Sequence, residues 1–267
     1  MVVHAAAQPS HDWAAEQPII DFSVNAMGTL LLLEGVRRHC PEAAFIFCST
    51  NKVYGSRPND LPLVERETRW ELDANHPYFP RGVAEDMSID ATKHSLFGVS
   101  KAAADLMVQE YGRYFGMKTA VFRAGCITGG AHRGAAQHGF LAYLAECAAS
   151  GRRYEIIGHG GKQVRDNIHA RDLVRAFVEF FRRPCSGEIF NIGGGRARSC
   201  SVLEAIGRFE RAFSRRLEQQ YVPQARLGDH VWWISDCGKF ERAYPSWTQR
   251  HSLDDIFAEF VTEHRQR

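Results

Sequence analysis

Phe45-Ile46-Phe47-Cys48-Ser49-Thr50-Asn51-Lys52-Val53-Tyr54-Gly55 is the stretch that decides how this chain is read. A short apolar run bounded by turn signals has the form of a strand buried in a parallel sheet. This one ends in hydroxyl side chains and turns through Gly55. In open parallel sheets ligands sit beyond the carboxyl ends of the strands, which is where Ser49 and Thr50 emerge. Some forty residues later comes Ser95-Leu96-Phe97-Gly98-Val99-Ser100-Lys101, leading into an apolar-faced helix that ends near Phe115. Residues four apart on a helix share a face, so Phe97 and Lys101 stand one turn from each other.

The pattern on either side alternates strand and helix. Met1-Val2-Val3-His4 reads as an apolar strand entering the small-residue turn Ala5-Ala6-Ala7-Gln8-Pro9, with His4 a core residue. His11 to Phe22 reads as a polar connection. Asn25 is a natural N-cap, and Leu30 to Val36 make the helix after it apolar on a wide face. Ser56 to Thr92, rich in Pro, Asn, Asp and charge, reads as a long loop with little regular structure. Lys118 to Arg123 is the next strand, and 154–158 and 188–193 are further strands. Helices are predicted over 140–151, 172–181, 201–213 and 252–264. Short connections in this rhythm imply right-handed crossovers and an α/β fold with a parallel sheet.

Composition narrows the function classes. Of 267 residues 45% are apolar and 24% charged, as in ordinary globular proteins. A net charge of +2, from 33 basic and 31 acidic residues, gives no reason to expect nucleic-acid binding. Seven scattered cysteines without a C-x-x-C pair argue against a metal site or a disulfide framework. No apolar run approaches the ~20 residues of a membrane helix, so a cytoplasmic protein with no membrane partner is expected.

The two quoted segments resemble the catalytic core of the extended short-chain dehydrogenase/reductase family, in its nucleotide-sugar epimerase and dehydratase branch. The resemblance implies a Rossmann-like, doubly wound parallel sheet with a small C-terminal substrate-binding lobe. It assigns 1–130 and 163–193 to the sheet domain and 131–162 and 194–267 to the lobe. It also implies that the sheet lacks its first three strands here, since no G-x-G-x-x-G opens a helix after a strand. NAD is the implied cofactor, and a chain without that glycine turn is expected to hold it weakly. In the family a strand-end Ser/Thr polarises a sugar hydroxyl while Tyr and Lys follow on the helix. Thr50 and Lys101 match, and the tyrosine position is Phe97, whose ring can neither take nor give a proton. Tyr54, Tyr78, His94 and Cys126 are nearby titratable side chains, none at the family's spacing.

The resemblance assigns further roles. Ala6, Ala7, Asn25, Ser49, Lys101 and Arg123 fall where relatives contact the cofactor, and Asn51 and Cys126 fall near the sugar. Gly161-Lys162-Gln163-Val164-Arg165-Asp166-Asn167-Ile168-His169 is similar to an R-D-[YFW]-[IV]-H signature, which gives Arg165 to the diphosphate. Arg226 and Asp229 are similar to a later R-x-x-D pattern for phosphate and ribose. Gln8-Pro9-Ser10-His11-Asp12-Trp13 and Asn191-Ile192-Gly193-Gly194 bring the likeness nearest to the CDP-paratose 2-epimerases. These oxidise C2 of a CDP-linked dideoxyhexose with NAD and return the hydride to the other face. A homo-oligomer is expected, because in relatives the helices corresponding to those near Asn25 and Ser100 form the dimer interface. Two alternatives stay open, a non-catalytic sugar-nucleotide-binding or dimerising module and a related dehydratase. Asn51-Lys52 after Thr50 counts against the dehydratase.

Overall fold

A computed structural model describes residues 1–135, 139–226 and 228–266; Leu227, inside the Arg226–Asp229 motif, lies outside them. The chain enters as β1 (Val2–His4) and continues through α1 (His11–Glu16), α2 (Pro18–Phe22), a π-helical turn (Ser23–Met27) and α3 (Gly28–His39). The polar connection expected over 11–22 is therefore helical. Ser10 caps α1 by accepting the Trp13 N–H, and Pro18 sits in the first turn of α2, where its missing N–H costs no helical bond. Asn25 caps nothing. It is buried inside the π-helical turn, its side-chain amide donating to Ser100 Oγ at 3.0 Å and its carbonyl accepting the Gln8 N–H at 2.9 Å.

Pro18–His39 is thus one run of 22 helical residues containing an 18-residue stretch of mean hydropathy 1.5, long and apolar enough to cross a membrane by length and composition alone. The expectation that no such run exists fails because the apolar residues do not share one face. Asp21, Asn25, Thr29, Leu33 and Val36 are buried, while Ile19, Ile20, Met27 and Leu31 on the far side are exposed.

Next come β2 (Phe45–Thr50) and a 3-10 turn (Asn51–Tyr54). The expected long loop carries a hairpin, β3 (Leu63–Glu65) and β4 (Trp70–Leu72), and is packed down. Its Leu72, Val83 and Met87 are buried in a cluster with Val53, Tyr54, Trp232 and Trp233. After it run α4 (Leu96–Phe115), β5 (Thr119–Ala124), β6 (Cys126–Thr128), α5 (Phe140–Ser150), β7 (Tyr154–Ile157) and β8 (Val164–His169). The chain closes with α6 (Ala170–Arg182), β9 (Glu188–Ile192), β10 (Ser199–Ser201), α7 (Val202–Phe213), β11 (Gln219–Val222), β12 (Trp232–Trp233), α8 (Gly238–Ala243) and α9 (Leu253–Arg265).

The main sheet is parallel in the order β1-β2-β5-β9. Alternation along β2 sends Phe45 and Phe47 to a layer with Leu33, Val36 and Val108, and Ile46 to the opposite layer with Phe122, Phe177 and Phe180. Helices on both faces of a parallel sheet make the doubly wound α/β architecture. β8 pairs with β6, β10 and β12 in a second sheet, β7 pairs with β11, and α5, α7 and α9 enclose a separate core around Phe209, Phe257 and Phe260.

One buried ion pair ties the main sheet to α4. Arg123 on β5 donates from Nε and a terminal nitrogen to both carboxylate oxygens of Asp105, each at 2.9 Å, and neither side chain is more than 4% exposed. Ser49 at the end of β2 donates to the same carboxylate at 2.7 Å. The other arm of Arg123 donates to Tyr54 Oη at 3.0 Å, and Tyr54 donates to Asn191 on β9 at 2.8 Å. Removing one partner of a buried pair strands the other charge. Asp105→Ala is therefore expected to lower the unfolding free energy by about 3–5 kcal/mol. Asp254→Ala, which breaks the exposed pair with Arg208, is expected to cost less than about 1 kcal/mol. Urea denaturation of both variants checks this, and equal losses would contradict it.

Candidate active site

The carboxyl ends of β2 and β5, the turn after β1 and the first turns of α4 meet β8, α5 and the 226–229 segment around a cavity of about 450 Å³. Thr50, Asn51, Lys52, Phe97, Lys101 and Cys126 line it on the side of the main sheet; Arg165 on β8, with Arg226 and Asp229, lines the facing wall. Ala7 and Ser49 also reach the wall, whereas Ala6, Asn25 and Arg123 are not among the lining residues. Asn25 and Arg123 instead serve the buried networks described above, and Ser49 divides its role between wall and network.

Thr50 is extended at the strand end, and its Oγ1 accepts the Lys52 N–H at 3.2 Å, leaving its own proton for a ligand or for Asn51 Oδ1 at 3.4 Å. Ser95 caps α4, its Oγ accepting the Gly98 N–H, and Phe97 and Lys101 from the first turns line the cavity. Lys101 is 3% exposed; its ammonium donates to Cys48 O at 2.9 Å and lies 4.1 Å from the centroid of the Phe47 ring. Burial pushes its pKa down to about 8, against the opposing pull of Cys48, Asp105 and Asp21. Among the described residues the ammonium makes one hydrogen bond out of the three it can donate, which suits a ligand with hydroxyls such as a nicotinamide ribose.

On the facing wall Arg165 donates to the Asp229 carboxylate, and Lys52 donates to Gly228 O at 2.8 Å with Asp229 at 3.9 Å. Burial works against the Asp229 charge, yet Arg165 and then Lys52 outweigh it and hold its pKa well below the usual carboxylate range. Burial brings Lys52 down to about 8. Two cations around one carboxylate leave a surplus of positive charge at the wall, a fit for an anionic ligand.

Of the four titratable side chains weighed as proton carriers, only Cys126 lines the cavity, and burial pushes its thiol up to about 11. Tyr54 is held in the Arg123 network with its pKa raised to about 12 by burial, Tyr78 donates to Asp86, and His94 is bonded to Ile89 O. A residue the sequence reading passed over as a site also stands in the cavity wall. His11 lines the cavity with its ring edge-on to Phe97, centroids 4.9 Å apart. Its only local signal was its place one residue after a capping serine, in Gln8-Pro9-Ser10-His11.

One grouping outside the cavity has metal-ligand character, His169, His251 and Glu259. His169 Nδ1 accepts the Arg171 N–H at 3.1 Å, so Nε2 carries the proton it gives to Glu259 at 2.8 Å; His251 stacks on it and is held by Asp172. Nδ1 of His169 thus caps α6 and Nε2 ties it to α9, which leaves neither nitrogen for a cation.

Residues 1–193 match the family described as the NAD dependent epimerase/dehydratase family. The chain belongs to that family. It is 32% identical over 259 residues to the CDP-paratose 2-epimerase of Salmonella typhi, covering 94% of this chain and 74% of that protein. It is 28% identical to a dTDP-glucose 4,6-dehydratase of Escherichia coli, covering 78% of this chain but only 55% of the relative. Among solved structures, UDP-glucose 4-epimerase of Thermus thermophilus in complex with NAD superposes with a TM-score of 0.76 at 24% identity, over 99% of this chain and 77% of that one. These solved folds share the Rossmann α/β architecture found here.

The buried ammonium gives a test that needs no ligand. Below pH 8 Lys101 is charged in both folded and unfolded states, and its desolvation cost is present in full. Between about 8 and the ordinary 10.5 the folded state releases the proton first, so stability rises with pH, and above 10.5 the cost is gone. Lys101→Met is therefore expected to be more stable than the natural chain by roughly 1–3 kcal/mol at pH 7, with the gap closing by pH 10.5. Urea denaturation across that range reads it; a destabilised variant with a pH-independent gap would contradict it.

Proposed function

We propose that the protein is an NAD-dependent nucleotide-sugar epimerase of the CDP-paratose 2-epimerase type. The observation that carries this reading is the convergence on one cavity of the Thr50 hydroxyl, the Lys101 ammonium and the Arg165–Asp229–Lys52 cluster. NAD, when bound, supplies a hydride acceptor and donor. Lys101 would donate to its nicotinamide ribose, and Ala7 would border it. Thr50 would donate to the oxygen of the reacting sugar carbon, with Asn51 and Cys126 beside it. Arg165 and Arg226 would take the diphosphate of a CDP-linked dideoxyhexose, and Asp229 would take a ribose hydroxyl while its charge orients Arg165. A dehydratase is disfavoured because Asn51-Lys52 places a cation, held at Gly228 O, where an acid would be needed to expel water.

The same reading makes the protein a soluble, cytoplasmic homo-oligomer without nucleic-acid or membrane partners. The apolar side chains exposed on the 18–39 helical run and on α4, among them Ile19, Leu31, Leu106 and Tyr114, form the surface that a second copy would cover. Light scattering at micromolar concentration is expected to give a dimer, and Leu31→Glu with Leu106→Glu a monomer; a monomeric natural chain contradicts this. For activity, the chain is incubated with CDP-paratose and NAD and followed by proton NMR. Thr50→Val is expected to lower kcat roughly 10²-fold, and Arg165→Ala to raise KM by at least about tenfold through loss of a charged hydrogen bond. Conversion unaffected by either change would remove the cavity from the reaction.

A further inference from the structure

Phe97 removes the phenol from the helix, and His11 fills the space against it. Three contacts fix the His11 ring. Its Nδ1 lies 2.8 Å from Ser95 Oγ, at the cap of the helix that carries Phe97. One edge meets the Phe97 ring, with centroids 4.9 Å apart at 64°. On the Nδ1 side Gly228, at φ +76°, comes so close that a Cβ there would lie 3.1 Å from Nδ1 and 3.3 Å from Ser95 Cβ. Nε2 has no hydrogen-bond partner among the described residues, and the residue lines the cavity that holds Thr50 and Lys101. A ring anchored through one nitrogen and open through the other is the arrangement of a proton carrier.

We propose that His11 is the catalytic residue that takes and returns the sugar hydroxyl proton in this chain, in place of a phenol at position 97. The assignment deepens the epimerase reading and rests on it. With Nδ1–H donated to Ser95 Oγ, Nε2 presents a lone pair. In the forward step the sugar O–H bond breaks and its proton goes to Nε2, while the hydride from the same carbon goes to the nicotinamide dinucleotide and a carbonyl forms. In the return step the hydride adds to the opposite face of that carbon. The carbonyl oxygen then takes the proton from Nε2–H, which leaves His11 neutral and no net oxidation.

The surroundings keep the ring neutral before the reaction. Burial, and after it Lys52, push its pKa down to about 4, with Asp229 and Asp12 pulling the other way and Arg226 adding to the depression. A histidine in that state accepts a proton only when a donor is placed against it, and Thr50 polarising the same oxygen would assist.

The test combines turnover with a measurement on the unaltered ring. His11→Gln is expected to lower kcat for CDP-paratose by at least roughly 10²-fold while its affinity for the nucleotide sugar stays within about threefold. Adding Phe97→Tyr to that variant is expected to restore at least roughly tenfold, because a phenol one turn before Lys101 can carry the proton again. A structural role for His11 would not be rescued this way. Turnover of His11→Gln within about threefold of the natural chain overturns the proposal. Independently, in the unaltered chain with ¹⁵N-labelled histidine, the Nε2 resonance of His11 is expected to be unprotonated and to shift on adding CDP-paratose but not CDP. An equal response to both, or a protonated Nε2, overturns the role of His11 whether or not turnover is seen. Absence of turnover in every protein, with the sugar-specific Nε2 shift present, overturns the epimerase reading and leaves His11 as the group that meets the sugar.

Discussion

The site depends on a pair of opposite charges buried from solvent. Asp105 and Arg123 face each other at 2.9 Å between α4 and β5. A pair of this kind is weak evidence for stability, because desolvation cancels most of its Coulomb energy. Its value here is geometric. The carboxylate also receives Ser49 from the end of β2, and the guanidinium reaches Tyr54 and, through it, Asn191 on β9. Four segments distant in the chain are thereby locked in one register. Thr50 follows Ser49 directly, and Lys101 lies one helical turn before Asp105. Fixing the network therefore fixes the strand-end hydroxyl relative to the helix that carries the ammonium.

The parallel sheet and its strand ends were legible because their signals are local. The runs at 45–50 and 188–192 are apolar, short and bounded by turn residues, and α4 has both a capping serine and a wide apolar face. The helices over 11–22 were not legible. Their residues mix charge with Trp13, Ile19 and Ile20, and Pro18 looks like a break although it sits at a first turn, where proline is accepted. Asn25 carries the composition of a cap, yet its partners are Gln8 and Ser100, and nothing near it in sequence announces either. The 56–92 segment was underestimated for a related reason. Its few apolar residues, Leu72, Val83 and Met87, are too far apart to show a period, and they are buried by Trp232 and Trp233 from the far end of the chain.

The candidate site divides the same way. Thr50, Lys101, Arg165 and Asp229 sit in motifs whose spacing can be read, and all four line one cavity. His11 sits in a segment that read as a connection, and its meaning comes from an approach to Phe97, which is remote from it in sequence. The side chain packed against Phe97 in the cavity wall thus comes from another segment of the chain. Arg123 shows the converse. Its motif points to the cofactor, while its guanidinium is used up in the core by Asp105 and Tyr54.

The central claim is that this cavity removes a hydride and a proton from one sugar carbon and its oxygen and gives both back. Isotope tracing tests it most directly. CDP-paratose deuterated at C2 is incubated with the chain and NAD in ordinary water, and the product is read by NMR. The account predicts that the deuterium remains on C2 of the inverted sugar. Its replacement by solvent hydrogen would mean that the carbon lost a proton rather than a hydride, and would contradict the account.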